Sequence, residues 1–271
     1  MNRPKLLDLF CCEGGASRGY ARAGFDVYGL DLFEAYQQKR YPYASHKGDA
    51  LVALALLVAG EAIPFLHKDG TVEWLRLSDF SAIAASPPCQ RYSAGTKGLT
   101  QEQRDKHPDL VGPTRELLIA TGLPYVMENV EGSPLLTPLT LCGTMFELGA
   151  KDTDGVWLSL KRHRLFESPV LLFPPTPCNH GLGPTAGVYG HGGQHQRRTY
   201  GGVYGGARNT HEGAKARGGG YVPKEKAVRA ALLGLNPEEH TNAGLAQSIP
   251  PVYTEHIGLQ ILAHLEQEKA A

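Results

Sequence analysis

The sequence predicts an α/β fold built on a parallel sheet, with a smaller irregular segment inserted towards the C-terminus. Three observations predict it. Short apolar runs alternate with helical stretches from residue 5 onward, and polar residues follow the apolar runs directly. Between Cys178 and Tyr221 the hydrophobic periodicity disappears and glycine becomes very frequent. Alternating strands and helices are typical of a parallel sheet covered by helices on both faces.

The first forty residues read as one strand–helix–strand unit. The apolar run Lys5–Phe10 predicts a buried parallel strand, and the helix Ala16–Ala23 ends at Gly24, a residue typical of helix C-termini. Asp26–Asp31 predicts the second strand, and a helical stretch follows to about Tyr41. A glycine-rich turn after the first strand and an acidic residue at the end of the second are typical of βαβ units that bind nucleosides.

The alternation continues towards the C-terminus. Strands are predicted at Ser81–Ala85 and Tyr125–Met127, with a helix at Asp109–Thr121 between them. Helical periodicity returns at Lys224–Leu233, and the last helix, Tyr253–Lys269, carries apolar residues on one face. Because polar residues follow the strands directly, we expect them to meet at the carboxyl edge of the sheet, where open parallel sheets bind ligands.

Composition narrows the class of protein. The 271 residues are 42% hydrophobic and 20% charged, as expected of a globular protein with one α/β domain and a smaller appendage. No apolar run approaches the roughly 20 residues that span a bilayer, and no signal peptide precedes the first strand. We therefore expect a cytoplasmic protein. Its five cysteines are an odd number without regular spacing, which does not indicate a disulfide framework.

The charge is balanced overall but unevenly distributed. Lys plus Arg and Asp plus Glu number 27 each, so the net charge is zero. Basic residues, histidine and glycine nevertheless concentrate between Arg162 and Arg229. Because a phosphate backbone responds to local basic patches and not to net charge, this distribution is compatible with nucleic-acid binding.

The turn after the first strand is a candidate nucleoside site. Gly14 and Gly15 let the backbone approach a ligand closely, and the following helix presents its N-terminus to a carboxylate. Asp31 is placed to accept hydrogen bonds from ribose hydroxyls, and Asp49 could bind an adenine amino group. Each acid alone is more often a solvated strand end, but together they favour a nucleoside site.

The segment Ser86–Gln90 is the most informative one. Two prolines stiffen the exit from a predicted strand, so that the thiol of Cys89 is presented in a defined direction at the sheet edge. A lone cysteine is usually a small buried apolar residue, but here its neighbours are polar. Glu128 ends a neighbouring strand, and Arg162 and Arg164 could grip a base carbonyl, a phosphate or the catalytic loop.

In this order, the segments resemble the motifs of the cytosine-5 DNA methyltransferase family. The resemblance covers nearly the whole chain except the glycine-rich insert. Its most specific part is Pro-Pro-Cys, followed about forty residues later by Glu-Asn-Val. The matching segments are Asp8–Gly15, Asp31 and Asp49 for the cofactor motifs, Pro87–Gln90 for the nucleophile motif, Glu128–Val130 for the glutamate motif, Arg162–Arg164 for the paired arginines and Gln247–Pro251 for the closing motif.

The resemblance implies a Rossmann-like, S-adenosyl-L-methionine-dependent methyltransferase sheet that acts on double-stranded DNA as a monomer. The implied domains are a catalytic and cofactor-binding domain (1–177), a target-recognition insert (178–222) and a C-terminal segment (223–271) that returns to the first domain. Cys89 is implied to add to carbon 6 of a flipped cytosine, with Glu128 on the ring nitrogen and amino group and Arg164 on the base carbonyl. The implied catalytic residues are Cys89, Glu128, Arg162 and Arg164. The implied cofactor-binding residues are Asp8, Phe10, Cys12, Gly14, Gly15, Asp31, Leu32, Asp49, Ala50, Pro87, Gln247 and Ser248.

Two further segments carry expectations. The loop Gln90–Pro108, which includes Gly95 and Gly98, is expected to close over the flipped base. The insert is short, which indicates a short or relaxed recognition sequence. Its basic residues could contact phosphates or guanine edges: Arg197, Arg198, Arg208 and Lys215. Four residues of the insert have side chains that can bind zinc, but their spacing fits no standard zinc motif. We therefore expect no metal site at these residues: Cys178, His180, His191 and His195.

Three departures from the family pattern leave alternatives open. Cys12 stands where the family has glycine, Leu160 where it has glutamine, and Ala246 and Gln247 where it has a Gly-Asn pair. The departures at Cys12 and in the closing motif leave room for an altered sulfonium cofactor. An RNA cytosine-5 methyltransferase also stays open, because glycine-rich basic loops do not distinguish RNA from DNA. A catalytically silent nucleic-acid-binding relative is the third alternative, although it has no chemical need for Cys89 and Glu128. The biological role, such as restriction-modification, self-protection or phage genome modification, also stays open.

Overall fold

The computed structural model describes residues 3–93, 100–181, 183–188 and 221–270. These residues form strands and helices that alternate in the N-terminal half, as the sequence predicts. The strands are β1 (Lys5–Leu9), β2 (Asp26–Asp31), β3 (Ala44–Lys47), β4 (Ile63–Leu66), β5 (Val72–Leu75), β6 (Ala82–Ala85), β7 (Tyr125–Asn129), β8 (Leu139–Leu141), β9 (Gly149–Lys151), β10 (Trp157–Leu160), β11 (Arg164–Glu167) and β12 (Thr185–Ala186). The helices are α1 (Gly15–Ala23), α2 (Ala35–Arg40), α3 (Ala50–Val58), α4 (Gln101–Asp105), α5 (Val111–Thr121), α6 (Lys226–Leu233), α7 (Asn242–Gln247) and α8 (Pro251–Ala270).

Nine strands form one sheet in the order β5-β4-β3-β2-β1-β6-β7-β11-β8. The five central strands, β3, β2, β1, β6 and β7, are parallel, and the strands on both edges are antiparallel. From β1 the chain first builds the sheet outward through β2 and β3, then returns to add β6 on the other side of β1. This reversal opens a crevice at the carboxyl ends of β1 and β6, where doubly wound sheets bind ligands.

Helices cover both faces of the sheet. On one face α1 and α8 pack against Leu6 and Val27, whereas on the other α3 and α5 pack against Leu7 and Leu9. The alternation of Leu6 and Leu7 follows from the two-residue period of a strand. Helices α1 and α8 approach closely at Gly19, where a Cβ atom would lie 2.0 Å from the carbonyl oxygen of Pro251. Any larger residue there would separate the two helices.

Eight predicted elements are confirmed to within about two residues. They are the strands β1, β2, β6 and β7 and the helices α1, α5, α6 and α8. Helix α3 and the antiparallel edge strands were not predicted. Helix α3 has apolar residues on both its buried and its exposed side, so it carries no amphipathic pattern: Ala53, Leu54 and Leu57 are buried, whereas Val52 and Leu56 are exposed.

A smaller body lies beside the main sheet. Strands β12, β10 and β9 form a three-stranded sheet in that order, and α6 packs on it through Ala230, Leu232 and Leu233. Strands β9 and β10 precede residue 178, so this body combines segments from both sides of the glycine-rich insert. The predicted domain boundaries stay a prediction. In the described part of the chain, no helix combines the length and the apolar character needed to cross a membrane.

Candidate active site

A cavity of about 300 Å³ opens at the carboxyl ends of β1 and β6. A volume of this size suits a small-molecule ligand. Its lining includes the turn after β1, the segment after β6, the carboxyl ends of β2 and β7, the start of β11, and residues 246–249, which we call the closing segment because they join α7 to α8. Ten of the residues predicted for the site line this cavity: Phe10, Cys12, Gly15, Asp31, Pro87, Cys89, Glu128, Arg164, Gln247 and Ser248.

The turn after β1 holds an unusual backbone conformation. Phe10 and Cys12 have φ angles of +60° and +48°, in the left-handed region that favours glycine, and Gly14 has a φ of +81°. The N–H of Cys12 donates to Oδ2 of Asp31 (2.8 Å), which ties the end of β1 to the end of β2. Strained backbone of this kind clusters at functional sites, and it curls the turn around the cavity.

The thiol of Cys12 links this turn to the C-terminal part of the chain. Its Sγ donates to Oε1 of Gln247, 2.9 Å away, and accepts from Nε2 of Gln37 at 3.7 Å. Burial, together with the neighbouring Asp31 carboxylate, raises the pKa of Cys12 to about 12. The thiol therefore stays neutral near pH 7 and can act as a hydrogen-bond donor.

Asp31 keeps hydrogen-bonding capacity towards the cavity. Its Oδ1 accepts the N–H of Leu32 at 2.7 Å, and its Oδ2 accepts that of Cys12. A carboxylate offers about four acceptor positions, so acceptor capacity remains beyond these two bonds. Burial raises the pKa of Asp31, although these backbone N–H groups oppose the shift.

Cys89, Glu128 and Arg164 face the same cavity from three segments. Nε of Arg164 lies 2.9 Å from Oε1 of Glu128, and the Arg164 Nη1 also donates to the carbonyl oxygen of His163 (2.8 Å). Burial raises the pKa of Glu128 above its usual value, although Arg164 and Arg162 act in the opposite direction. Burial also raises the pKa of the Cys89 thiol, and the Glu128 carboxylate adds to that shift.

Folds of this kind are found among methyltransferases of known structure. A DNA modification methyltransferase encoded within an E. coli prophage matches with a TM-score of 0.53 at 15% identity, over 97% of this chain and 99% of that one. The Entamoeba histolytica methyltransferase EhMeth matches with a TM-score of 0.52 at 10% identity, over 98% of this chain and 99% of that one. The S. pombe Dnmt2 methyltransferase matches with a TM-score of 0.52 at 12% identity, over 97% of this chain and 99% of that one. The chain has the Rossmann-like methyltransferase fold. Its sequence matches no family model and no curated protein.

Within this methyltransferase fold, six predicted site residues do not line the cavity: Asp8, Gly14, Leu32, Asp49, Ala50 and Arg162. Asp49 is exposed and caps α3, accepting the N–H groups of Leu51 and Val52, and Ala50 is buried as the first residue of that helix. The Leu32 side chain is 66% exposed. Asp8 is buried inside β1, where it accepts a hydrogen bond from Ser17. Gly14 supplies the left-handed turn that begins α1.

The structure gives Arg162 a different role from Arg164. Its guanidinium is fully buried and donates to three backbone carbonyls: Val188 at 2.6 Å, Ala246 at 2.7 Å and Ser248 at 2.9 Å. It therefore holds the closing segment and the part of the small body that follows β12 in place. The residue type predicts a guanidinium but not which distant carbonyls surround it.

Glu13 is a further site residue that the sequence does not predict. Its carboxylate accepts the N–H of Thr241 at 2.8 Å and the hydroxyl of Thr241 at 2.7 Å, and His240 Nδ1 lies 3.4 Å away. Although burial acts to raise it, the neighbouring His240 and the hydrogen bonds from Thr241 lower the pKa of Glu13. The carboxylate anchors α7, and with it the closing segment, onto the turn after β1. No local sequence pattern indicates this pair, because its members are more than two hundred residues apart.

Some predictions lie outside the described residues. These include Gly95 and Gly98 of the expected closing loop, and the basic and metal-ligand candidates of the insert: Arg197, Arg198, Arg208, Lys215, His191 and His195. The described part of the predicted loop begins with a turn in which the N–H groups of Tyr92 and Ser93 donate to the Cys89 carbonyl oxygen, each at 3.0 Å. The helix α4 lies further along the same loop.

Proposed function

We propose that this protein is a DNA (cytosine-5-)-methyltransferase that transfers a methyl group from S-adenosyl-L-methionine to carbon 5 of a flipped cytosine. The observation that carries the proposal is that Cys89, Glu128 and Arg164 face one cavity together with the turn after β1 and the closing segment. A nucleophile, a carboxyl group and a guanidinium thus share a space with a candidate nucleoside site. The family resemblance of the sequence and the methyltransferase fold support the same reading.

The residues around the turn after β1 suit S-adenosyl-L-methionine. The α1 N-terminus has no side-chain cap, so its backbone N–H groups suit the carboxylate of the methionine part. Asp31 has acceptor capacity left for ribose hydroxyls. Gly15 lets the closing segment approach, because a Cβ there would lie 2.9 Å from Cβ of Ser248. When bound, the cofactor supplies an electrophilic methyl group.

Cys89 would act as the nucleophile. Its thiol would give its proton to solvent and its sulfur would then bond to carbon 6 of the cytosine, while the 5,6 π bond would break and leave its electron pair available at carbon 5 for the methyl group. Burial raises the pKa of the Cys89 thiol, whereas Arg164 and Arg162 act to lower it, so these guanidiniums favour the thiolate that attacks carbon 6. After methyl transfer, carbon 5 would lose its proton to solvent, the electrons of that C–H bond would re-form the 5,6 double bond, and the sulfur would leave carbon 6 as a thiolate.

Glu128 would recognise the base and stabilise the adduct. Its raised pKa makes the neutral carboxyl more available than in an exposed glutamate. A neutral carboxyl can donate to the ring nitrogen and accept from the exocyclic amine, whereas a carboxylate can only accept. The nearby Arg164 guanidinium would orient the carboxyl and contact the base carbonyl. These interactions strengthen as charge develops on the ring, which is the condition for catalysis.

The test is covalent trapping on defined nucleic acids. The purified protein and cofactor would be incubated with duplex DNA containing either cytosine or 5-fluorocytosine, whose fluorine cannot leave as a proton. We expect 5-methylcytosine from the first DNA and a stable protein–DNA adduct with the second. Cys89→Ser should give neither while still binding the cofactor.

Three other results would redirect the proposal. Modification of RNA but not of duplex DNA, under matched conditions, would favour the RNA methyltransferase. Cofactor binding without adduct or product on any nucleic acid would favour a silent relative or an altered donor. Absence of cofactor binding in folded protein would refute the methyltransferase function itself.

A further inference from the structure

Four metal-ligating side chains converge outside the cavity. Cys142, His163, Cys178 and His180 each offer one ligand atom, and these atoms all lie within 4.8 Å of one another. They come from three separate segments: the end of β8, the turn between β10 and β11, and the segment that leads into the glycine-rich insert. None of the four lines the cavity. The proposed reaction therefore does not account for this cluster.

The distances suit a tetrahedral zinc ion. Sγ of Cys178 lies 3.0 Å from Nε2 of His180 and 3.5 Å from Nε2 of His163, and Sγ of Cys142 lies 3.3 Å from Nε2 of His180. In a tetrahedral site with ordinary zinc–sulfur and zinc–nitrogen bonds, a sulfur and a nitrogen are about 3.6 Å apart. We propose that Cys142, His163, Cys178 and His180 form a structural Zn²⁺ site.

The hydrogen-bond partner of His163 supports this assignment. Nδ1 of His163 lies 2.9 Å from Oε1 of Glu131. A carboxylate can only accept, so Nδ1 carries a proton and Nε2 is the ring nitrogen that can offer a lone pair to a metal ion. Metal-bound histidines commonly have this carboxylate partner, which fixes the tautomer and the ring orientation. Glu131 thus prepares His163 as a ligand.

Hydrogen bonds alone account poorly for the cluster. Cys178 Sγ has three polar neighbours within 3.5 Å: Nε2 of His163, Nε2 of His180 and Oγ1 of Thr144. A thiol has one proton to donate, and the lone pair of His163 Nε2 competes for it. A cation attracts all four ligand atoms at once. Two thiolates and two neutral imidazoles are also a common ligand set for structural zinc.

The position of the site indicates what the ion would do. His163 stands between Arg162 and Arg164, and Cys142 directly follows β8, which pairs with β11. Cys178 and His180 lead into the glycine-rich segment. The ion would therefore fasten the start of that segment to the sheet edge that carries Arg164. With four protein ligands the site has no open position, so it would be structural and not catalytic.

The site can be tested by metal analysis of the full chain, with no reference to activity. We expect about one zinc per chain after purification without added metal, by elemental mass spectrometry. Chelation should lower the thermal unfolding temperature, and Zn²⁺ alone should restore it. Co²⁺ added to the stripped protein should give the visible absorption of a tetrahedral, thiolate-bound ion.

Variants separate this site from adventitious metal. His180→Ala should lose the zinc and the cobalt absorption, whereas His264→Ala, a matched change on α8, should keep both. If His180→Ala does not fold, zinc binding by Glu131→Gln tests the proposal instead, because this variant keeps all four ligands. It should weaken zinc binding about 10- to 100-fold. Folded wild-type protein that binds neither ion, or that contains a Cys142–Cys178 disulfide, would overturn the proposal.

Discussion

Asn129 donates a hydrogen bond of 3.0 Å from Nδ2 to the carbonyl oxygen of Pro87, and both residues are buried. The bond joins the end of β7 to the segment after β6. Since Glu128 precedes Asn129 and Cys89 follows Pro87 by two residues, it fixes the candidate nucleophile relative to the candidate base-binding carboxyl. Asn129 is therefore a positioning residue for the proposed reaction.

We predict that Asn129→Ala slows adduct formation by about 10- to 100-fold, because small displacements of reacting groups are costly. Cofactor affinity should change little, since Asn129 does not line the cavity. The measurement is the rate of trapping on 5-fluorocytosine DNA beside cofactor binding by calorimetry. Asn236→Ala, an exposed asparagine that caps a short helical turn, is the matched control. Equal losses of trapping and cofactor binding would contradict this role.

The sequence predicts the central sheet and much of the site for one physical reason. Residues that follow parallel strands meet at one sheet edge, so Cys89, Glu128 and the turn after β1 can be brought together by topology alone. A buried strand and a terminal polar residue are both local patterns. They need no knowledge of distant partners.

What the sequence could not predict depends on contacts between distant segments. The pairing of Glu13 with Thr241 and the carbonyl partners of Arg162 have no local signature. The same holds for the four proposed zinc ligands. The sequence placed Cys178 and His180 together, but Cys142 and His163 join them only because β8 and β11 are neighbours in the sheet.

The two arginines of the paired motif should fail in different ways when replaced. Arg162→Gln removes donors from three backbone carbonyls, so it should lower the free energy of unfolding by about 3 kcal/mol or more. Arg164→Gln should lower the free energy of unfolding much less than Arg162→Gln does. It should slow adduct formation by about 100-fold, because it removes the positive charge beside Glu128.

Chemical denaturation and single-turnover trapping of both variants check this contrast. The wild-type protein and each variant would be measured in the same buffer, with cofactor affinity as a third readout. Arg162→Gln should also weaken cofactor binding, because it releases the carbonyls of Ala246 and Ser248. The assignment fails if Arg164→Gln is the less stable variant and Arg162→Gln folds normally but cannot form the adduct.

Cys12 occupies a backbone conformation that favours glycine, with a φ of +48°. We predict that Cys12→Gly is more stable than Cys12→Ala by about 1 kcal/mol, because only alanine keeps the unfavourable Cβ. Both variants lose the hydrogen bond from the thiol to Gln247, so the comparison isolates the backbone effect. Thermal and urea unfolding provide the measurement. An alanine variant equal to or more stable than the glycine variant would show that the turn relaxes to accept a side chain.

Asp8 should make stability depend on pH, because burial, aided by the nearby Asp31 and Glu128 and opposed by Ser17, raises its pKa from 3.8 to about 7. Below pH 3.8 the group is protonated in both the folded and the unfolded chain. Between that pH and about 7 only the unfolded chain ionises, so stability falls as pH rises. Above this window the loss is constant, at most roughly 4 kcal/mol.

Asp8→Asn removes this ionisation while keeping an oxygen that can accept from Ser17. The variant should therefore gain stability relative to wild type as pH rises from 5 to 7, and the difference should level off above pH 7. Urea unfolding across this range measures it, and Asp26→Asn controls for loss of an exposed carboxyl on the neighbouring strand. Cofactor affinity should stay near the wild-type value, because Asp8 lies beneath the turn and does not line the cavity. A pH-independent difference would mean that Asp8 ionises equally in both states, and a loss of cofactor binding would place its carboxyl in direct contact with the ligand.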